Sequence, residues 1–233
     1  MSSIRIGGIE KFSIVDFPNK MSAVVFMQGC PWRCPFCHNV FLQDVNRQTD
    51  IVWNKFLDFL GTRKGILDAV VFSGGEPLVQ KELKDAINDV KVLGYEIGLH
   101  TGGYLPNHFK EIIELVDWVG FDIKAPLKKD RYKEVTGGIA DVEKVKESLQ
   151  ILVESKKHFE CRTTCDPRFL SVDDLYEIAN TLKEMGVKEY YLQKYRKVES
   201  DTETSEGQCL SLVENDELNA YLSESFEIFD VRK

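Results

Sequence analysis

Residues 21–39 read MSAVVFMQGCPWRCPFCHN. The first part, Ala23 to Met27, is an apolar run with adjacent valines, which predicts a buried strand. The second part places Cys30, Cys34 and Cys37 in one loop, spaced CxxxCxxC, with Pro31 and Pro35 restricting its path. A strand that runs directly into a loop of three thiols predicts chemistry at one end of a sheet.

Outward from that stretch the same order recurs. DAVVFSGG (68–75), YEIGLHTGG (95–103), WVGFDIK (118–124), HFECRTT (158–164) and VKEYYLQKY (187–195) read as strands. Helical spacing lies between them in residues 50–63, 78–94, 107–116, 141–157 and 171–186. Counted from SAVVFMQ this makes six strands joined by covering helices, an α/β layer with parallel strands and right-handed crossovers. Periodicity does not choose between a Rossmann-like sheet and a partial barrel. Either one gathers the loops that follow the strands at one edge, where ligands bind.

SSIRIGG (2–8) and EKFS (10–13) suggest an opening pair of short strands, and APLKKDRYKEVTGG (125–138) reads as a loop. Residues 196–209 are polar without a core-forming period and predict an exposed connection. Residues 210–233 form a C-terminal extension, with a terminal helix and a final edge strand or docked tail. At 233 residues, with no linker-like tract, the chain predicts a single domain. A formal charge of −8 gives no reason to expect a nucleic-acid partner, and no run of eighteen uncharged apolar residues predicts a membrane span. The first residues lack a secretory pattern, so a cytoplasmic, reducing location is expected.

Under those conditions the six cysteines are candidates for metal binding, redox work or packing. Cys30, Cys34 and Cys37 could be completed by His38 as a closed zinc site. They could also hold three irons of a 4Fe-4S cluster and leave the fourth iron open to a small molecule. Cys161, Cys165 and Cys209 show no paired CxxC spacing and read as isolated thiols, with a second metal site or a disulfide as the alternatives.

CPWRCPFC, together with SGGEP at 73–77 after the next strand, resembles the two leading motifs of the radical S-adenosylmethionine superfamily. SIVDFPNKMSAVVFMQGCPWRCPFCHN is similar to the opening of its glycyl-radical enzyme activating proteins, with Asn19 where that group has glycine. DIK (122–124), RYKEVTG, RTT and YYLQKYR resemble features of the same group, above all the activators of anaerobic ribonucleotide reductase.

That resemblance implies a partial (β/α)6 TIM-like barrel with Cys30, Cys34 and Cys37 as the cluster ligands. It implies that S-adenosylmethionine occupies the open iron and is cleaved reductively to methionine and a 5'-deoxyadenosyl radical, which installs a glycyl radical on a partner enzyme. Contacts to that cofactor are implied for Phe36, Cys37, His38, Gly74, Gly75, Glu76, Thr101, Asp122 and Lys124. Gly102 gives clearance, and Arg162 is a further candidate that can point into the barrel. A one-electron donor such as flavodoxin or ferredoxin is implied as a second partner. Two other readings stay open: a radical enzyme acting on a small molecule such as a modified nucleotide precursor, and a zinc-stabilised interaction protein. The basic run Lys128, Lys129 and Arg131 reads as a solvated loop, with partner docking as the alternative.

Overall fold

A computed structural model describes residues 4–233. The sheet has eight strands in chain order: β1 (Ile6–Ser13), β2 (Ser22–Met27), β3 (Ala69–Gly74), β4 (Glu96–Thr101), β5 (Trp118–Asp122), β6 (His158–Cys165), β7 (Glu189–Lys194) and β8 (Ile228–Arg232). Among the described residues only β1 is antiparallel to its neighbour; β2 to β8 run parallel. The six expected strands are all present, and β1 and β8 flank them as edges. The result is a partial, open barrel.

The helices are α1 (Trp53–Gly61), α2 (Leu83–Val92), α3 (Pro106–Ile112), α4 (Lys129–Thr136), α5 (Val142–Ser155), α6 (Val172–Glu184), α7 (Glu206–Ser211) and α8 (Asp216–Ser225). Val142, Val145, Leu149 and Leu152 of α5 form the apolar stripe that the sequence predicts, and all four are buried. Alternation along the strands divides two cores. Ala23, Val25 and Met27 of β2 join Val70 and Phe72 of β3 in the large core, which also takes in the helices. Val24, Ala69, Val71, Phe17 and Trp118 form a small second core, with Phe26 packed against it.

The same parity carries Ser73, His100, Asp122 and Arg162 onto the face of that second core, nearer the strands' C-terminal ends. The barrel lumen is therefore apolar at its floor and charged above it. Glu160, fully buried on this face, is held by the Arg232 guanidinium from β8 at 2.5 and 2.7 Å. That pair ties the last strand to the sheet.

Two expectations need correction. The opening strand pair is one strand, because residues 6–13 pair continuously along β2 with shifts in register; Ser2 and Ser3 lie outside the described residues. The expected loop at 125–138 contains α4, whose Tyr132, Val135 and Thr136 are buried at helical spacing. Its charged residues hid that short stripe, and tertiary contacts hold such a short helix: Arg131 pairs with Asp174 of α6 at 2.9 Å, and Lys128 with Glu177 at 2.7 Å. Within the basic run Arg131 is engaged with α6, while Lys128 and Lys129 stay exposed.

Within the largely exposed connection 196–209, Asp201, Thr204 and Cys209 are buried. The Asp201 carboxylate accepts from Tyr195 Oη at 2.9 Å and from the Thr204 amide at 3.0 Å, and Arg168 lies 3.3 Å away. Polar closure of this kind leaves no hydrophobic period to read. The C-terminal tail docks as β8, in parallel with β7.

Replacing Arg232 with Met leaves the Glu160 carboxylate buried without its partner. The expected outcome is a loss of about 2–3 kcal/mol in unfolding free energy, read from urea denaturation.

Candidate cofactor cavity at the strand ends

The Gly74–Glu76 turn is seated directly on the strand that leads to the cysteines. The Gly75 amide donates to the Met27 carbonyl at 3.0 Å, and the Glu76 amide to the Gly29 carbonyl at 2.9 Å. Gly74 has φ +110°, and a Cβ there would sit 2.3 Å from the Met27 amide nitrogen. A Cβ on Gly75 would lie 2.2 Å from the Gly29 carbonyl oxygen, and one on Gly102 would lie 2.1 Å from the Trp32 ring. These glycines, expected to clear room for a ligand, make room for the cysteine segment itself. Asn19 takes a positive φ of 59°, the conformation that the glycine at this position of the resembling group allows.

Glu76 is 1% exposed, and its carboxylate collects three donors. Oε1 accepts from Thr101 Oγ1 at 2.6 Å and from the Leu78 amide at 3.1 Å, while Oε2 accepts from the Gly102 amide at 2.9 Å. Burial pushes its pKa above the usual carboxylate range, and those hydrogen bonds and Lys124 offset only part of that push. The Thr101 hydroxyl gives its one proton to Glu76 and accepts from the Gly103 amide at 3.0 Å. Thr101 therefore organises the turn after β4 through Glu76, and only its remaining lone pair is left for a ligand.

A cavity of about 140 Å3 opens at this junction. Cys30, Cys34, Cys37, Phe36, Gly74, Gly75, Glu76, Thr101, Asp122 and Lys124 all line it, and Arg162 does too. His38 does not; it is exposed and lines a second, larger cavity of about 900 Å3. Ser73, His100, Asn39 and Gln43 line the small cavity although sequence reasoning passed over them. For Ser73 and His100 the signal was available in strand parity, since each alternates with buried apolar residues. Cys161, Cys165 and Cys209 are free thiols buried away from the cavity, and burial raises the pKa of each.

Charge inside the cavity is arranged as a chain. Arg162 Nε donates to Asp122 Oδ1 at 2.9 Å, and Lys124 Nζ lies 3.6 Å from Asp122 Oδ2. Burial works against the Asp122 carboxylate, but Arg162 and Lys124 outweigh it and hold the pKa below the usual range. For Lys124 burial likewise opposes the charge, yet Asp122 and the neighbouring thiols keep the ammonium charged and raise its pKa. Its Nζ also stands 5.2 Å from the centre of the Trp32 ring. His100 is neutral, its pKa lowered to about 3 by burial and by Arg162.

The three thiols are also buried or half-buried. Desolvation, with Glu76 beside it, pushes Cys30 up to about 12, and desolvation raises Cys34 as well. Soft ligands of this kind become thiolates when a metal centre supplies the compensating charge. Among the described residues no three His, Cys, Asp or Glu side chains gather as the ligands of one metal ion. A cubane cluster takes each thiolate at a different iron, so three cysteines around one cavity fit that group's donor requirement.

Residues 24–165 match the family described as the Radical SAM superfamily. A protein of Methanocaldococcus jannaschii, named among the glycyl-radical enzyme activating enzymes, is 35% identical over 82% of this chain and 79% of its own length. The pyruvate formate-lyase-activating enzyme of Clostridium pasteurianum is 30% identical over 96% of this chain and 98% of its own. SuiB of Streptococcus suis, solved bound to S-adenosylmethionine, superposes with a TM-score of 0.69 at 15% identity. That match takes in 88% of this chain and about half, 48%, of SuiB, and it reflects the fold.

Glu76→Gln tests the junction. Either orientation of the new amide turns its NH2 toward a donor that Glu76 now satisfies. The expected outcome is a loss of about 1–3 kcal/mol of stability, measured by denaturant unfolding of the metal-free chain.

Proposed function

The chain belongs to the radical SAM superfamily and is related to its glycyl-radical enzyme activating proteins; from that premise we propose that it installs a glycyl radical on a partner enzyme. The observation that carries this reading is the convergence of the three thiols and every other expected contact except His38 on one small cavity at the strand ends.

In this reading Cys30, Cys34 and Cys37 hold a 4Fe-4S cluster. Held by those residues, such a cluster would supply the electron for reductive cleavage of S-adenosylmethionine to methionine and a 5'-deoxyadenosyl radical. The chain's own part is to bind and orient. The Lys124 ammonium offers a counter-charge for a carboxylate, and Glu76 fixes the backbone of the Gly102 turn beside it. Phe36, buried at 8% exposure, lines the cavity and is the candidate aromatic contact for the nucleoside.

Arg162 lines both cavities, so the two adjoin at that side chain. A cavity of about 900 Å3 is large enough to admit a segment of polypeptide carrying the target glycine. RTT (162–164) and YYLQKYR (190–196) lie along β6 and β7, which wall the larger cavity, and their resemblance to the reductase activators favours anaerobic ribonucleotide reductase as partner. The full-length similarity to a pyruvate formate-lyase activator makes that lyase the comparison partner in any test. A one-electron carrier such as flavodoxin or ferredoxin would reduce the cluster. Among the described residues no helix is long and apolar enough to cross a membrane.

Anaerobic reconstitution is expected to yield about four irons and four sulfides per chain, and Cys34→Ala to prevent a normal cluster from forming. The reduced enzyme, given S-adenosylmethionine and the reductase, is expected to produce a glycyl doublet in electron paramagnetic resonance. Stoichiometric zinc without iron would reject the reading.

A further inference from the structure

His100 lines the small cavity, with both ring nitrogens engaged. Nε2 lies 2.9 Å from the Asp16 carbonyl oxygen, and Nδ1 lies 3.2 Å from Ser73 Oγ. A carbonyl can only accept, so Nε2 carries the proton and donates; Nδ1 then accepts from the Ser73 hydroxyl. Burial and the nearby Arg162 guanidinium keep the ring neutral, which fixes this tautomer.

Each partner belongs to a different cavity. Ser73 lines the small one, directly before Gly74. Asp16 belongs to the strap joining β1 to β2, and Ile14, Val15, Asp16, Pro18 and Asn19 line the large one. The strap is packed on the same indole as the histidine: Trp118 meets His100 edge-on at 5.5 Å and Phe17 at 5.3 Å. Beyond that anchor the strap exposes Ile14 at 66% and Val15 at 79%, two apolar side chains in water beside the large cavity.

We propose that His100 is a positioning residue: its Nε2 hydrogen bond to Asp16 fixes the 14–19 strap on the barrel wall, and so sets the shape of the large cavity that receives the partner's segment. This rests on the glycyl-radical reading for the nature of the occupant, though the anchoring itself does not. Leucine at position 100 removes both hydrogen bonds and leaves the Asp16 carbonyl without its donor. Glutamine can place an amide N–H where Nε2 stands, so it restores the strap contact.

The test uses full-length wild-type, H100L and H100Q chains, reconstituted anaerobically. Hydrogen exchange of peptides covering residues 13–20 is followed beside those covering β3, and glycyl-radical yield is titrated against partner concentration. H100L is expected to speed exchange in the strap about tenfold without changing β3. It is expected to raise the half-saturating partner concentration about three- to tenfold, with a smaller effect on turnover at saturation. H100Q is expected to fall near wild type in both.

Unchanged strap exchange in H100L overturns the proposal, and so does an H100Q chain that behaves as H100L does. If wild type forms no radical on any candidate partner, the functional reading fails, and strap exchange alone then decides the anchoring.

Discussion

Two backbone hydrogen bonds carry the Gly74–Glu76 turn onto the end of β2: Gly75 to Met27 and Glu76 to Gly29. Much of the cavity depends on that contact. It is possible only because residues 74 and 75 have no side chain, since a Cβ on either would overlap the backbone of the segment entering the cysteine loop. Once seated, the turn directs the Glu76 side chain into the sheet, where it takes hold of Thr101 and Gly102 after β4. Three consecutive strand ends are thus joined through one turn, and the cysteine loop is built on that joint.

The second organising feature is a gradient of polarity along the lumen. Phe17, Val71 and Trp118 close the floor; one layer higher stand His100 and Glu160, and then Asp122 and Arg162. Buried ions are costly unless paired. Here Arg162 is shared with Asp122, and Asp122 with Lys124. The last of these charges reaches the cavity beside the thiols, where a small polar ligand would meet it. Toward β7 and β8 the lumen widens, and its wall becomes Glu189, Tyr191, Gln193 and Arg232. One end of the cavity system thus suits a compact cofactor, and the other a longer and more varied occupant.

Much of this was legible in the sequence because parallel strands buried on both faces leave long apolar runs, and because three thiols in eight positions have few uses. The strands, the large helices and the convergence of SGGEP, HTGG and DIK on the cysteine loop followed from order and spacing. What was hidden has physical causes. Helix α4 shows a three-residue apolar stripe within a charged segment, too short for periodicity to register. The 196–209 segment is ordered by the buried carboxylate of Asp201, and polar closure looks like a loop when only hydropathy is read. The glycines were legible as glycines, but their reason was not, because a backbone approach from residues far apart leaves no local signal. His38 was assigned to the cofactor by the family resemblance, and its side chain lines the neighbouring cavity instead.

Hydrogen transfer is the event on which the functional account converges. The direct measurement is mass spectrometry of the 5'-deoxyadenosine released when the reduced enzyme acts on a partner prepared with glycine deuterated at Cα. The account predicts deuterium in the 5' methyl group of that product, in step with formation of the glycyl radical. Cofactor cleavage with no deuterium transferred from any candidate glycyl-radical enzyme would contradict it.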